Sequence, residues 1–574
     1  MADTFAAVKR NLRGYLRRFG GRKTVASDLK AGLVLGVESV PDGLAAGVLA
    51  GVNPLHGLYA YMFGAIGGAL ATGSAFMTVQ ATGAMAVIIS DVSAETPGGL
   101  TPAALTTLGL MVGVIMLVLG IARLGSLVRF IPTAVLVGFV NAVAVNIVLG
   151  QIDNATGFAA EGANRIARTL DSLLHFWQWS WPTILVGVVT VTLILLLERT
   201  RLGALALVVA VIVGSGLAAA LALLDGIDRV ATIGDIAEVP QTLPGMQMPD
   251  LSVVLALIVP ALSLALVGLV QGAAISGSIA NPDGRYPDAS ADFRGQGIAN
   301  LASGFFQGIP VGGSMSATAL VRAAGARTAL ANLFAGVVMG ITVLAFASLI
   351  GYIAMSALAA LLIIVGVRTF KVHDIYMVWR TGIVQATVLT VTFVLTLLIP
   401  LQYAVLTGVG LAVILIVVQQ SNRVVLRQWE FDDLSALPIE SAPPATIPPG
   451  EVVVLAPYGS LFFAAAPVFE KQLPAVPARL DGAVVIVRLR GKEALGSTFL
   501  RVIATYAERI RAAGGTLMIS GVSEAVHRQL RDTGIIRRIG ERQVFRAHAR
   551  VGESLQQARD AAQRLIDERG GADG

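Results

Sequence analysis

The sequence predicts an all-α polytopic membrane domain of about fourteen segments in a seven-plus-seven inverted repeat, followed by a small cytoplasmic α/β domain. Three observations predict it. Hydrophobic residues make up 55% of the 574 and charged residues only 14%, too little polarity for a water-soluble fold of this length. Apolar runs of helical length recur between residues 30 and 420. In hydrocarbon such continuous runs close their backbone hydrogen bonds as helices, whereas barrel strands would alternate. Beyond residue 420 short apolar strands alternate with helical patterns, the mark of a small α/β unit.

Residues 1–30 carry Lys9, Arg10, Arg13, Arg17, Arg18, Arg22 and Lys23, with Phe5, Val8, Leu12, Tyr15, Leu16 and Phe19 at helical spacing on one side. This reads as a retained amphipathic helix on the inner leaflet, meeting membrane lipid, since a cleaved signal would place its apolar stretch nearer the end. The membrane segments follow at 31–50, 55–73, 77–90, 104–121, 130–150, 182–197, 204–224, 252–276, 295–308, 314–325, 328–350, 354–366, 383–399 and 403–420, a transporter domain over 31–428. With the basic end inside, the inner connections collect Arg123, Arg129, Arg199, Arg201, Arg285, Arg294, Arg322, Arg327, Arg368, Lys371, Arg380, Arg423 and Arg427. That bias predicts both termini in the cytoplasm of a cell whose inner membrane holds the chain. The net charge of +6 belongs to this pattern and gives no reason to expect nucleic acid.

The third and tenth segments, 77–90 and 314–325, reach only about 21 and 18 Å against a core of about 30 Å. Each follows a glycine-containing stretch, Gly73-Ser74 and Pro310-Val311-Gly312-Gly313, and each holds the third place in its half. Paired interrupted helices in matching positions mark an inverted-repeat transporter, with substrate near the midplane. Half-helix N-termini present unpaired N–H groups and a positive dipole end, which suits an anion. The plainer reading of any one glycine is close helix packing; the pairing favours a site.

Glu38 and Asp42 lie one turn apart on the first segment, and a carboxylate inside a membrane span is costly enough to imply function. For Glu38 a wet cavity or a packing partner is an equal reading. His56, His175, His373 and His527 show no ligand spacing, the chain has no cysteine, and no nucleotide-binding fingerprint is present; no metal site, cofactor or enzymatic activity is expected. Pro438 to Pro449, with five prolines, reads as part of a linker over 429–450. After it, over 451–574, strands at 452–455, 484–489 and 516–519 alternate with helices near 497–512 and 523–532 and end in a charged helix near 553–569.

Four stretches resemble the sulfate permease family of anion transporters, over essentially the full length. They are V-P-D-G-L-A-A-G-V-L-A-G-V-N-P-L-H-G-L-Y-A from Val40, F-I-P-T-A-V-L-V-G-F from Phe130, G-Q-G-I-A-N-L from Gly295 leading to G-I-P-V-G-G-S-M-S-A-T-A from Gly308, and A-G-A-R-T from Ala324. The C-terminal unit resembles a STAS domain, with L-G-S-T-F from Leu495 as its loop. The resemblance implies a core domain rocking against a gate domain, a homodimer, and a substrate among sulfate, bicarbonate, chloride and dicarboxylates. It implies a site lined by Asp42, by Gln80, Ala81 and Thr82 of the third segment, by Gln271 of the eighth, and by Ser314, Met315 and Ser316 at the start of the tenth.

The departures from the family pattern carry information. Many relatives have arginine at the position of Ala317 and a coupling carboxylate at that of Gln271, where an amide cannot titrate. Asp42 stands where relatives often have glutamine, so coupling to sodium or a proton is expected to have moved to Asp42, with Glu38 as the second candidate. In the STAS loop Gly496 replaces the usual aspartate; Ser497 and Thr498 are candidate regulatory positions for a cytoplasmic partner, and a helix N-cap is the plainer reading of Ser497. Three function classes remain: a coupled carrier or exchanger, an uncoupled anion channel, and a membrane-bound signalling platform built on the STAS domain. A nucleobase permease shares the architecture but not these motifs.

Overall fold

The protein is described from a computed structural model, which covers residues 22–570 together with Phe19, apart from 97, 126–131, 163, 201, 204, 225–227, 422–423 and 432–436. The basic positions up to Arg18, with Arg129, Arg201, Arg423 and the first two residues of the Phe130 motif, lie outside the described residues. Two compact units divide at residues 412 and 413.

In the first unit the chain forms α1 (Arg22–Leu49), α2 (Pro54–Ala71), β1 (Thr78–Gln80), α3 (Gly83–Glu95), α4 (Pro102–Ile121), α5 (Thr133–Leu149), α6 (Ile152–Thr156), α7 (Arg165–Leu174), α8 (Trp181–Leu197), α9 (Leu205–Leu221) and α10 (Ile233–Ile236). It continues with α11 (Val254–Ser278), α12 (Ala289–Phe305), β2 (Gly312–Ser314), α13 (Met315–Ala323), α14 (Leu330–Gly351), α15 (Met355–Thr369), α16 (Val372–Thr381), α17 (Ile383–Leu398) and α18 (Leu401–Ser421), the last running into the second unit. Each apolar run read from the sequence overlaps one of these helices. Sequence reading missed α7 and α16, whose polar residues hide a helical period from a search for apolar runs.

Two expectations need correcting. Arg22 already opens α1, so residues 22–30 extend the first helix and do not form a separate interfacial one. The third segment does not start as a helix at residue 77: Thr78–Gln80 is extended and helix begins only at Gly83, running on to Glu95. The cause is pairing, because β1 lies antiparallel to β2, Thr78 opposite Ser314 and Gln80 opposite Gly312.

Helices α1–α4 and α11–α14 pack as one bundle, and α5, α8, α9, α15 and α17 as another, with α1 touching α15 and α9. This is the core and gate division that the family resemblance implies. The ladder needs glycine. A Cβ on Gly312 would lie 2.8 Å from the Gly268 Cα, and one on Gly313 2.9 Å from the Gly272 Cα, so α11 approaches β2 backbone to backbone. Arg368 and Glu198, from two connections read as internal, meet in a two-pronged ion pair at 2.5 and 2.6 Å.

The second unit holds β3 (Val425–Phe431), β4 (Pro438–Ser441), β5 (Val452–Tyr458), α19 (Ala466–Gln472), β6 (Val484–Arg488), α20 (Ser497–Ala512), β7 (Thr516–Val522), α21 (Glu524–Asp532), α22 (Ile535–Ile539), β8 (Val544–Arg546) and α23 (Glu553–Gly570). Its sheet runs β4-β3-β5-β6-β7-β8, parallel from β5 onward, with β3 antiparallel to both neighbours. Helices α19–α22 bury one face around Phe469, Phe499 and Ile503, while Leu555, Ala558 and Ala562 of α23 cover the other. The linker expected over 429–450 is therefore partly sheet. Pro438, the one of its five prolines inside β4, is compatible because β4 is an edge strand, where a missing N–H costs no ladder bond.

Candidate anion site

A broken membrane helix leaves backbone groups without partners, and in lipid these must be satisfied by side chains. Buried amides and carboxylates do this here. Asn300 on α12 binds both polar groups of Val311, its Nδ2 donating to the carbonyl at 2.7 Å and its Oδ1 accepting from the N–H at 2.8 Å. One turn earlier, Gln296 Oε1 accepts from the Gly313 N–H at 3.0 Å. Asn332 on α14 does the same for β1, accepting from the Thr78 hydroxyl at 2.7 Å and donating to the Met77 carbonyl at 3.1 Å. Asn281 and Asp292 accept from the Ala75 and Ser74 N–H groups. Asp28 on α1 accepts three hydrogen bonds, from the Arg327 N–H, the Thr328 N–H and the Thr328 hydroxyl, which is the physical content of the A-G-A-R-T motif.

These supports fix two helix N-termini beside one short ladder. Since β1 and β2 are antiparallel, α3 and α13 leave it at opposite ends. Thr82 caps α3, its hydroxyl accepting from the Met85 N–H at 3.4 Å, and Ser314 caps α13, accepting from the Ala317 N–H at 3.3 Å. The Ser314 and Ser316 hydroxyls are 3.2 Å apart. Met315 and Ser316 are exposed, whereas Gln80 and Ala81 are buried. Gln80 is held by packing, its Nε2 donating to the Ser39 hydroxyl at 2.9 Å. Gln271 is half-buried on α11, one residue before the glycine that meets β2, and its Oε1 has no hydrogen-bond partner among the described residues.

Asp42 and Glu38 are half-buried on α1, and Asp42 accepts from the Tyr61 hydroxyl at 2.8 Å. Neither takes part in an ion pair with a lysine or arginine among the described residues. Pro41 sits inside α1 and removes the N–H that would bind the Val37 carbonyl, so the turn carrying both carboxylates also carries a weakened helix. The sequence reading missed Gln296, Asn300 and Asn332. The signal was there: amides inside membrane segments, two of them at i and i+4, are as costly without partners as charges are notable.

In the second unit the STAS-like loop is clamped by Gln529, whose amide accepts from the Leu495 N–H at 3.0 Å and donates to its carbonyl at 2.6 Å. Gly496 takes the N-cap position of α20 with no side-chain cap bond, which overturns the N-cap reading of Ser497; that residue already lies in the helix. Ser497 is exposed and Thr498 half-buried. Nearby, burial and then the Arg546 and Arg531 charges hold His527 below its ordinary range, and burial lowers Lys492.

Two interrupted helices meeting at a two-stranded ladder inside a helical bundle define a membrane transporter fold of the inverted-repeat class. The sequence profile of the sulfate permease family matches residues 25–392 and that of the STAS domain residues 443–554. The chain belongs to the sulfate permease family, whose members include sulfate and bicarbonate transporters, and is a multi-pass membrane protein. It is 27% identical over 547 residues to the putative sulfate transporter YvdB of Bacillus subtilis, covering 93% of this chain and 99% of that one. Its fold matches the murine solute carrier 26 family member A9 anion transporter, with a TM-score of 0.82 at 17% identity over 96% of this chain and 93% of the other. The transmembrane domain of the cyanobacterial bicarbonate transporter BicA matches with a TM-score of 0.57 at 23% identity, over 68% of this chain and 98% of that one.

Proposed function

We propose that the protein carries a small anion, one of sulfate, bicarbonate, chloride or a dicarboxylate, across the inner membrane by alternating access, with both termini in the cytoplasm and two copies forming a homodimer. One observation carries this reading: two capped half-helices begin beside the same ladder, so their free N–H groups and dipole ends offer an anion a site without a fixed cation. The names of the bacterial and cyanobacterial relatives support an oxyanion substrate. Asp42, Thr82, Gln271, Ser314, Met315 and Ser316 are the lining residues of this reading, with Gln80 and Ala81 behind them.

Asp42 is the coupling residue of the proposal. A carboxylate about 4 Å from a bound anion is repelled by about 4 kcal/mol even at an effective dielectric of 20. A sodium ion or proton between them removes that cost, and among the described residues no basic side chain pairs with Asp42 or Glu38 to do so instead. The STAS domain supports or regulates the transporter, with Ser497 and Thr498 as positions for a cytoplasmic regulator.

An uncoupled channel is the second reading, favoured by Ala317 and Gln271, which stand where the family resemblance implies a positive and a negative charge. Uptake of isotopic anions into proteoliposomes, with and without sodium and a pH gradient, decides between them. Saturation and counterflow are expected of the carrier; flux that rises linearly with anion concentration and shows no counterflow would establish the channel.

A further inference from the structure

Helix α7 and the turn after it carry an apolar face that is bare among the described residues. Leu170, Leu173 and Leu174 fall at i, i+3 and i+4, Phe176 and Trp177 continue the face, and all five are between 52% and 68% exposed. The polar side of the same element is tied down. Arg168 pairs with Asp153, Asp171 accepts from the Glu161 N–H at 2.9 Å, and Trp179 Nε1 donates to the Ser172 carbonyl at 3.0 Å. An element fastened on its polar side and bare on its apolar side is amphipathic toward something outside the protein.

The adjoining helix α8 indicates the occupant. Trp181 opens α8 and is itself 56% exposed, and Leu185, Val188, Leu195 and Leu196 continue the outward apolar surface along that membrane helix. The bare face of α7 thus continues a lipid-facing surface, with tryptophans at 177 and 181 where an interfacial belt places them. We propose that α7 and the Phe176-Trp177 turn lie in the plane of the membrane interface with their apolar face in lipid, and that this seat holds Arg165 against Asp91 of half-helix α3.

Arg165 is the first residue of α7, and its guanidinium meets Asp91 at 2.6 Å. The other Asp91 oxygen accepts from the Leu401 N–H at 2.7 Å, at the start of α18. Both side chains of the pair are largely shielded, so breaking it strands charge in a poorly solvated place. Half-helix α3, which carries one side of the candidate anion site, is in this way fastened to a lipid-seated helix and to α18. It moves either by breaking the pair or by drawing α7 with it.

The chain has no cysteine, which makes single-site labelling direct. Full-length protein bearing Leu174→Cys or Glu161→Cys is spin-labelled and reconstituted in phosphatidylcholine–phosphatidylglycerol vesicles. Collision with apolar oxygen and with a water-soluble nickel chelate is then compared. The label at 174 is expected to favour oxygen several-fold over the label at 161, which lies on the polar side; equal, water-like ratios overturn the lipid seat. Adding Asp91→Asn to the Leu174→Cys protein is expected to make the label more mobile, and an unchanged spectrum overturns the link to Arg165. Neither measurement requires transport, so the inference stands or falls apart from the proposed function.

Discussion

Replacing Asn300 by leucine isolates what holds the tenth segment open. Leucine fills a similar volume but makes no hydrogen bond, so the N–H and carbonyl of Val311, a fully buried residue, both lose their partner. Each orphaned buried group costs about 1–3 kcal/mol, giving about 2–6 kcal/mol for the pair, concentrated on the strand that leads into α13. A control separates this from general destabilisation. Asn146 on α5 donates to the Thr396 carbonyl at 2.9 Å, so Asn146→Leu orphans one backbone group in the other bundle, at about 1–3 kcal/mol. Thermal denaturation in detergent, followed by fluorescence-detected gel filtration, is expected to show a larger loss for Asn300→Leu. Proteoliposome uptake is expected to show a raised KM for that variant alone. An Asn300→Leu protein with wild-type melting and KM would refute the claim that side-chain amides hold the ladder and that the ladder forms the site.

The remaining expectations address other parts of the molecule. Ser316→Leu puts a bulky side chain at the exposed mouth of α13 and should abolish uptake without changing expression; unchanged affinity would remove α13 from the site. Asp42→Asn should make coupled uptake independent of sodium and pH or eliminate it, while anion-for-anion exchange survives; wild-type cation dependence would shift coupling to Glu38 or away from both. A histidine held below its ordinary range stays neutral in the fold while the unfolded chain protonates first. His527 therefore contributes stability that is full above about pH 6.5 and is lost as pH falls through its native value. Melting of residues 413–574 expressed alone should weaken toward pH 5 more in wild type than in His527→Gln. Ending the chain after Ser421 removes the whole sheet and should leave anion selectivity intact. Ending it near Pro449 strands β3 and β4 as a lone hairpin and should give aggregated protein, read by gel filtration.

By itself the sequence determined the solvent, the order of the apolar segments, the change to an α/β unit and the family. The first three are written in composition and in runs of one residue class, which survive without knowledge of any contact, and the family was legible through the resemblance that four motif stretches carry. It also marked the two short segments, because helix rise against bilayer thickness is arithmetic on length. Only the tertiary structure decided where helix begins in the third segment. Thr78–Gln80 is extended because its partner strand lies more than 230 residues away, beyond the reach of any local pattern. The same distance hid the work of Asn332 and Asp28, and Asn300, only 11 residues from Val311, was hidden because its partners are backbone groups that a sequence does not display. The supposed linker is the converse case: prolines argued for open chain, and an edge position in the sheet, which needs no N–H on one side, made the one proline inside β4, Pro438, compatible with a strand. Ser497 moved from cap to helix by a single residue because Gly496 supplied the extended N-cap backbone conformation, a difference that side-chain preference alone does not resolve.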